Sequence, residues 1–227
     1  FDPASNYGAG TEIVVYYPSD PAILDGIDSN TAYISHFDGT NGSTTITDSS
    51  DNSISMTVNG SNTSLNTSTK KIGTASFRQQ NGAVNASDWA LSSASSDFNL
   101  STTDWTIEAW VYVSSTSGTI FAIGENVANN NNNLHFQFEH GSGSGSASSS
   151  VYVYEYGTGT SSNPAHMSMT SPTWSQWQHY AWVRQGTVLK SYLDGTLNST
   201  HACNADYGWT GNTYLKLGNR LGPNGGS

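Results

Sequence analysis

The sequence predicts an all-β domain, a two-sheet antiparallel β-sandwich, and three observations carry that reading. Stretches of strand length with alternating apolar residues recur roughly every 8–20 residues, separated by Gly, Asn, Asp and Ser. No stretch holds helical apolar spacing for more than a turn or two. Residues Trp177 to Gly195, WQHYAWVRQGTVLKSYLDG, read as two strands with tight turns at Gln185-Gly186 and Asp194-Gly195. Asp-Gly is a turn pair because both residues tolerate the positive φ that matches strand twist.

In order, the first element is Thr11–Tyr17 (TEIVVYY), a β-branched and aromatic run between Gly8/Gly10 and Pro18-Ser19-Asp20-Pro21. Residues 1–30 are therefore expected to form an N-terminal strand and linker, or an assembly arm, ahead of a main domain over 31–227. That domain opens with strands at 32–37 and near 53–58. The polar segment 60–70 has no core-forming periodicity and reads as a loop, followed by short strands near 74–78 and 89–92. Trp105 to Val113 is a central strand, with Trp105, Ile107, Ala109, Val111 and Val113 on one face and Thr106, Glu108, Trp110 and Tyr112 on the other. Strands follow at 119–123, 134–139 and 151–156. The Asn129–Asn133 run and the Gly141–Ser150 run connect alternating strands, so both read as long hairpin loops. In Trp177–Gly195, Trp177, His179, Ala181 and Val183 share one face and Gln178, Tyr180, Trp182 and Arg184 the other.

Composition excludes several partners. The 227 residues are 35% hydrophobic and only 11% charged, with seven Lys and Arg against 17 Asp and Glu and a formal net charge of −10. A nucleic-acid partner needs clustered cations that this chain lacks, and the same deficit argues against an anionic membrane surface. No apolar run long enough to insert in a membrane and no signal peptide are visible, and the chain reads as a mature form or a piece of a longer protein. Cys203 is the single cysteine, so no internal disulfide forms and the residue reads as a small buried hydrophobe.

The spacing Trp177, His179, Ala181, Val183-Arg184, Gly186, Leu189, Tyr192, Asp194-Gly195 resembles the signature hairpin of laminin-G-like, concanavalin A-like jelly-roll domains. The resemblance extends back to His36–Ser43 (HFDGTNGS), Thr47–Asn52, Lys71–Phe77 (KIGTASF), Asp97-Phe98 and Trp105–Tyr112, and covers roughly residues 31–220. This wording is similar to versions in structural proteins of marine bacteriophages. It implies a jelly-roll sandwich used for binding. Such domains continue past the Tyr214–Asn219 segment into one more strand, so the 31–227 domain is expected to lack it, with Thr11–Tyr17 or a neighbouring subunit covering the exposed edge.

The chemistry-bearing residues point away from catalysis. Glycoside hydrolysis needs two opposed carboxylates, and Asp104 with Glu108 is the nearest pair; Asp104 lies at a strand mouth and no Glu-x-Asp-x-Glu strand exists. A nucleophile elbow, a phosphate loop and a paired-His metal motif are also missing, so no catalytic residue and no enzyme are expected. Asp38, Asp48 and Asp51 fall in turn segments where carboxylates can converge on a structural calcium, and the resemblance points the same way; the alternative is that they form turns by bonding their own backbone. Seven Asn-x-Ser/Thr sequons occur, and in a chain this rich in Asn, Ser and Thr they do not decide compartment.

Sugar recognition combines an aromatic platform with side-chain hydrogen-bonders. The loop from Cys203 to Thr213 offers Asn204, Asp206, Tyr207, Trp209 and Asn212, and Trp174 stands beside Pro172. Aromatics on strand faces, including Trp110, Tyr112, Tyr180, Trp182 and the stripe Tyr152, Tyr154, Tyr156, read instead as core or cross-strand pairs. The expectation is a non-enzymatic, lectin-like module of a virion or other extracellular assembly that binds a host-surface glycan or receptor. The alternative is an architectural domain of a capsid, fibre or filament whose partners are its own copies or other assembly proteins. A polysaccharide hydrolase is the third reading.

Overall fold

The computed structural model describes residues 11–13, 30–79, 88–100, 102–114, 118–125, 135–140, 151–155, 165–170, 173–203, 212–219 and 221. Their strands are β1 (Thr11–Ile13), β2 (Met56–Asn59), β3 (Thr63–Asn66), β4 (Ser76–Gln79), β5 (Trp89–Ser92), β6 (Trp105–Tyr112) and β7 (Gly118–Glu125). Then come β8 (His135–His140), β9 (Val151–Glu155), β10 (Ala165–Met169), β11 (Trp177–Gln185), β12 (Val188–Leu193), β13 (Thr196–Ala202) and β14 (Thr213–Leu217). One 3-10 turn, Ser96–Phe98, is capped by the Ser95 side chain.

Two sheets form the sandwich. One runs β1-β6-β11-β12-β13, the other β10-β9-β8-β7-β14-β5-β2, and β3-β4 is a separate hairpin. Every pairing is antiparallel except β1 with β6, where Thr11, Glu12 and Ile13 run parallel to Trp105, Thr106 and Ile107. The expected covering strand therefore lies on the edge of β6 through residues 11–13, while residues 14–17 lie outside the described residues. β7 pairs with β8 and β8 with β9, both antiparallel, while the Asn129–Asn133 and Gly141–Ser150 runs expected to be hairpin loops lie outside the described residues.

Alternation decides which faces meet. β6 turns Trp105, Ile107 and Val111 inward, and β11 turns Tyr180 and Trp182 inward, both 0% exposed. Against them the second sheet sets Phe121, Ile123, Phe138, Met167, Met169 and Leu215. The Phe138 ring lies 4.5 Å from that of Trp182 and 5.0 Å from that of Tyr180, and Phe121 meets Trp182 edge-on at 5.4 Å. Offset and edge contacts of this kind add to the area they bury. Cys203 is buried in the same core, as a small hydrophobe.

The hairpin turns follow their sequence. Asp194 and Gly195 take φ of 49° and 77°; the Asp194 carboxylate accepts the His179 N–H at 2.9 Å and the Asp194 N–H donates to the His179 carbonyl at 2.8 Å, which ties the turn to β11. Gly186 takes φ of 56° and donates its N–H to Asp104 at 2.7 Å. Arg184, buried, reaches across to the Gly186 and Cys203 carbonyls.

Three local expectations change. Residues 32–37 are not a ladder strand, although Ala32, Tyr33 and Ile34 are core; side chains take the place of a partner strand, Asp48 accepting the Ile34 N–H and Asn52 donating to the Thr31 and Ala32 carbonyls. The 60–70 segment contains β3, which buries Leu65 against β4 and hides Asn66 because its side chain caps the Ser68 N–H locally. β10 and β13 have no counterpart in the sequence reading, their polar residues masking the alternation.

Lys216 on β14 is 5% exposed beneath the Trp89 ring, its ammonium 5.2 Å from the ring centroid. Burial lowers its pKa from 10.5 to about 8. Above 10.5 the amine is neutral in both states, and as pH falls toward 8 the unfolded chain binds the proton that the folded one resists. Stability should thus rise with pH between 8 and 10.5, and Lys216→Met should abolish the rise and raise the melting temperature below pH 8; thermal melts across that window check it. Phe138→Ala removes the ring between Tyr180 and Trp182 and should cost about 3–5 kcal/mol, read from the denaturant midpoint.

Candidate ligand-binding cavity

A cavity of about 340 Å³ opens between the two sheets at one end of the sandwich. Its walls are the end of β6 (Ala109–Val113), the start of β7 (Thr119–Phe121) and the end of β14, with the β3–β4 hairpin and the Ser35–Phe37 segment across the third side. The size lies within the roughly 300–1,000 Å³ typical of small-ligand sites.

Two sequence stretches lock that third side in place. Asp38 accepts both the Thr74 backbone N–H (2.5 Å) and the Thr74 hydroxyl (2.9 Å), while Gly39 donates to the same Thr74 oxygen at 2.9 Å. Gly73 takes φ of 65°, and a Cβ there would stand 2.3 Å from the Asp38 carboxylate, so only glycine permits the approach. The Phe37 and Phe77 rings meet at 5.8 Å behind the clamp. The HFDG and KIGTASF segments are thus two halves of one joint.

Beside the cavity the outward face of β6 and β11 carries an aromatic ladder. Opposite residues pair as Tyr112 with Trp177 and Trp110 with His179, at ring separations of 5.6 and 5.2 Å. The Lys71 ammonium lies 4.2 Å from the centroid of the Trp110 ring, within cation–π range. His179 Nε2 stands 3.3 Å from the Glu108 carboxylate. Trp110, Tyr112, Trp177 and Lys71 line the cavity together with His36, Asn66, Arg78 and Gln79. Such a set can stack on an apolar ring face and hydrogen-bond around it.

Asn204, Asp206, Tyr207 and Trp209 lie outside the described residues. Trp174, 38% exposed, stands on the turn before β11, and Asn212 is exposed just before β14; neither lines the cavity. Tyr180 and Trp182 are core, as read, and no groove opens over them. The cavity residues escaped sequence reading because Trp110 and Tyr112 look like ordinary cross-strand aromatics. The available signal was the double-sided β11, aromatic on the face away from the core as well as on the core face.

The three aspartates do not form one donor set. Asp48 accepts four protein hydrogen bonds, from the Ile34, Ser50 and Ile54 N–H groups and the Ser50 hydroxyl, at 2.8–3.1 Å. Asp38 is engaged by Thr74, and Asp51 is exposed on the next turn. Among the described residues no three His, Cys, Asp or Glu side chains converge. A calcium ion takes 6–8 oxygen ligands, so this arrangement does not fit one, and turn formation accounts for Asp38 and Asp48. Asp48→Ala should cost about 2–4 kcal/mol by orphaning buried donors, whereas calcium or a chelator should leave the melting temperature of the unaltered protein unchanged.

Comparison with known proteins follows the same lines. A laminin-G family model, described as the Concanavalin A-like lectin/glucanases superfamily, matches residues 85–226. No curated protein matches. Among solved structures, the binding domain of botulinum neurotoxin serotype D/C VPI 5993 superposes with a TM-score of 0.55 at 12% identity, over 82% of this chain and 44% of that one. The binding domain of Paraclostridial Mosquitocidal Protein 1 superposes with a TM-score of 0.52 at 11% identity, over 76% and 44%. The Ruminococcus gnavus IT-sialidase CBM40, bound to alpha2,3 sialyllactose, gives 0.43 at 15% identity, over 54% and 67%. The chain spans less than half the length of the two toxin domains.

Proposed function

This chain belongs to the concanavalin A-like lectin/glucanases superfamily, and from that fold and the cavity at its end we propose that it is a non-enzymatic module that binds a glycan. The observation that carries the reading is the cavity itself, lined by Trp110, Tyr112 and Trp177 together with polar side chains such as His36 and Gln79. A sugar ring presents apolar C–H faces to the aromatics and hydroxyls to the polar groups. The solved toxin domains with this fold are titled binding domains, which supports the class of function rather than the ligand.

Binding without turnover is supported by the described part of the lining, which contains neither Asp nor Glu to serve as the acid and base of glycosidic cleavage. The setting proposed is an extracellular assembly, a virion among them, where the module presents its cavity to a cell-surface glycan or receptor. Support for that comes from the phage-like wording of the HFDG and KIGTASF segments.

Glycan-array screening followed by calorimetry tests the reading. Trp177→Ala and Trp110→Ala should each weaken binding at least about tenfold, an aromatic contact being worth on the order of 1 kcal/mol or more, while Trp174→Ala should bind like the unaltered protein. Loss on Trp174→Ala with both cavity variants unaffected would move the site to the loop side of the sandwich and defeat this assignment.

A further inference from the structure

We propose that the cavity is selective for an acidic saccharide, one whose ring carries a carboxylate; the proposal rests on the reading above that a glycan occupies it. The first ground is charge placement. The protein has 17 Asp and Glu against seven Lys and Arg, yet Lys71 and Arg78 line this cavity and, among the described residues, no acidic one does. Against the acidic average of the chain, this is a local reversal of sign.

The second ground is that these cations lack protein counter-ions. His179 Nε2 stands 3.3 Å from the Glu108 carboxylate, so that carboxylate is engaged. Asp38 is held by Thr74. The Lys71 ammonium lies over the Trp110 ring. Arg78 is half-buried and its Nε has no protein hydrogen-bond acceptor. Its charge is thus not matched by a protein carboxylate among the described residues. The guanidinium fork matches a carboxylate in a planar, two-bond geometry, which a neutral hydroxyl cannot reproduce. With the Trp110 ring beside the cations, the cavity offers a platform for the sugar ring and charge for its acid group.

Calorimetry with soluble oligosaccharides tests this, using glucuronic acid-containing, sialic acid-containing, sulfated and neutral members of similar size. A carboxylated sugar should bind at least about tenfold more tightly than its neutral counterpart. Arg78→Gln and Lys71→Gln should each erase most of that preference, weakening the carboxylated sugar several-fold more than its neutral counterpart, and Arg78→Lys should restore part of it. Added salt should weaken the carboxylated sugar alone. Melting curves confirm that each variant is folded. Equal affinity for neutral and acidic sugars, lost on Trp110→Ala but not on Arg78→Gln, would overturn the acid preference while the glycan reading survives. Tighter binding of the sulfated sugar would overturn the carboxylate assignment. No binding by any sugar would remove both readings together.

Discussion

The contact on which the rest of the molecule depends is that of Phe138 with Trp182 across the sandwich, at 4.5 Å. Each sheet has one face rich in bulky side chains, and neither can form without the other covering it. Trp182 and Tyr180 stack within β11 at 6.0 Å, and Phe138 and Phe121 close on them from the opposing sheet. The strands concerned are distant in sequence, so the core exists only after the long-range pairing of β6 with β11 and of β7 with β8 and β14 has formed. Folding of such a sandwich is governed by non-local contacts, with the hairpin from Trp177 to Gly195 as its most local piece.

A chain with so few cations cannot neutralise its acids by pairing, and the structure shows another use for them. Asp48, Asp38, Asp104 and Asp194 each accept a backbone N–H at a turn, and Asp88 takes up the Asn62 side chain. A carboxylate in that role does the work of a missing strand or cap, because charge-assisted bonds to N–H are stronger than neutral ones. Asp48 is the fullest case, since four donors meet it and the 32–34 segment is buried without a ladder partner. Turn carboxylates that resemble a metal set in the sequence are consumed by the backbone.

The same contrast marks what the sequence could disclose. Period-two alternation placed Trp105–Val113 and Trp177–Gln185 as strands and sorted their side chains into two faces, but with aromatics on both faces of the second strand it did not say which face was inner; the packing of Tyr180 and Trp182 decides that. β3 escaped because its polar residues Thr63 and Asn66 are buried, Asn66 through a local hydrogen bond, and β10 because its alternation of methionine with polar residues is too short to stand out. The site was less legible than the fold. Lys71 and Arg78 flank the β4 signal as ordinary surface cations, and only tertiary contact brings them to Trp110 and the end of β6. The loop aromatics, by contrast, were conspicuous in the sequence through their place outside any strand.

Trp110 joins the two parts of that site. Its strand is fixed from the core side by Ile107 and Val111, whose burial sets which way the next residue must point. On the outward side Lys71 lies over its ring and His179, tied to Glu108, packs beside it. A ring held by these contacts has little rotamer freedom left to lose, so under the proposed function its face would be organised before a ligand arrives. The side chain that most resembles core in the sequence is, for this reason, well suited to recognition: the packing that makes it look structural is what makes it a rigid platform.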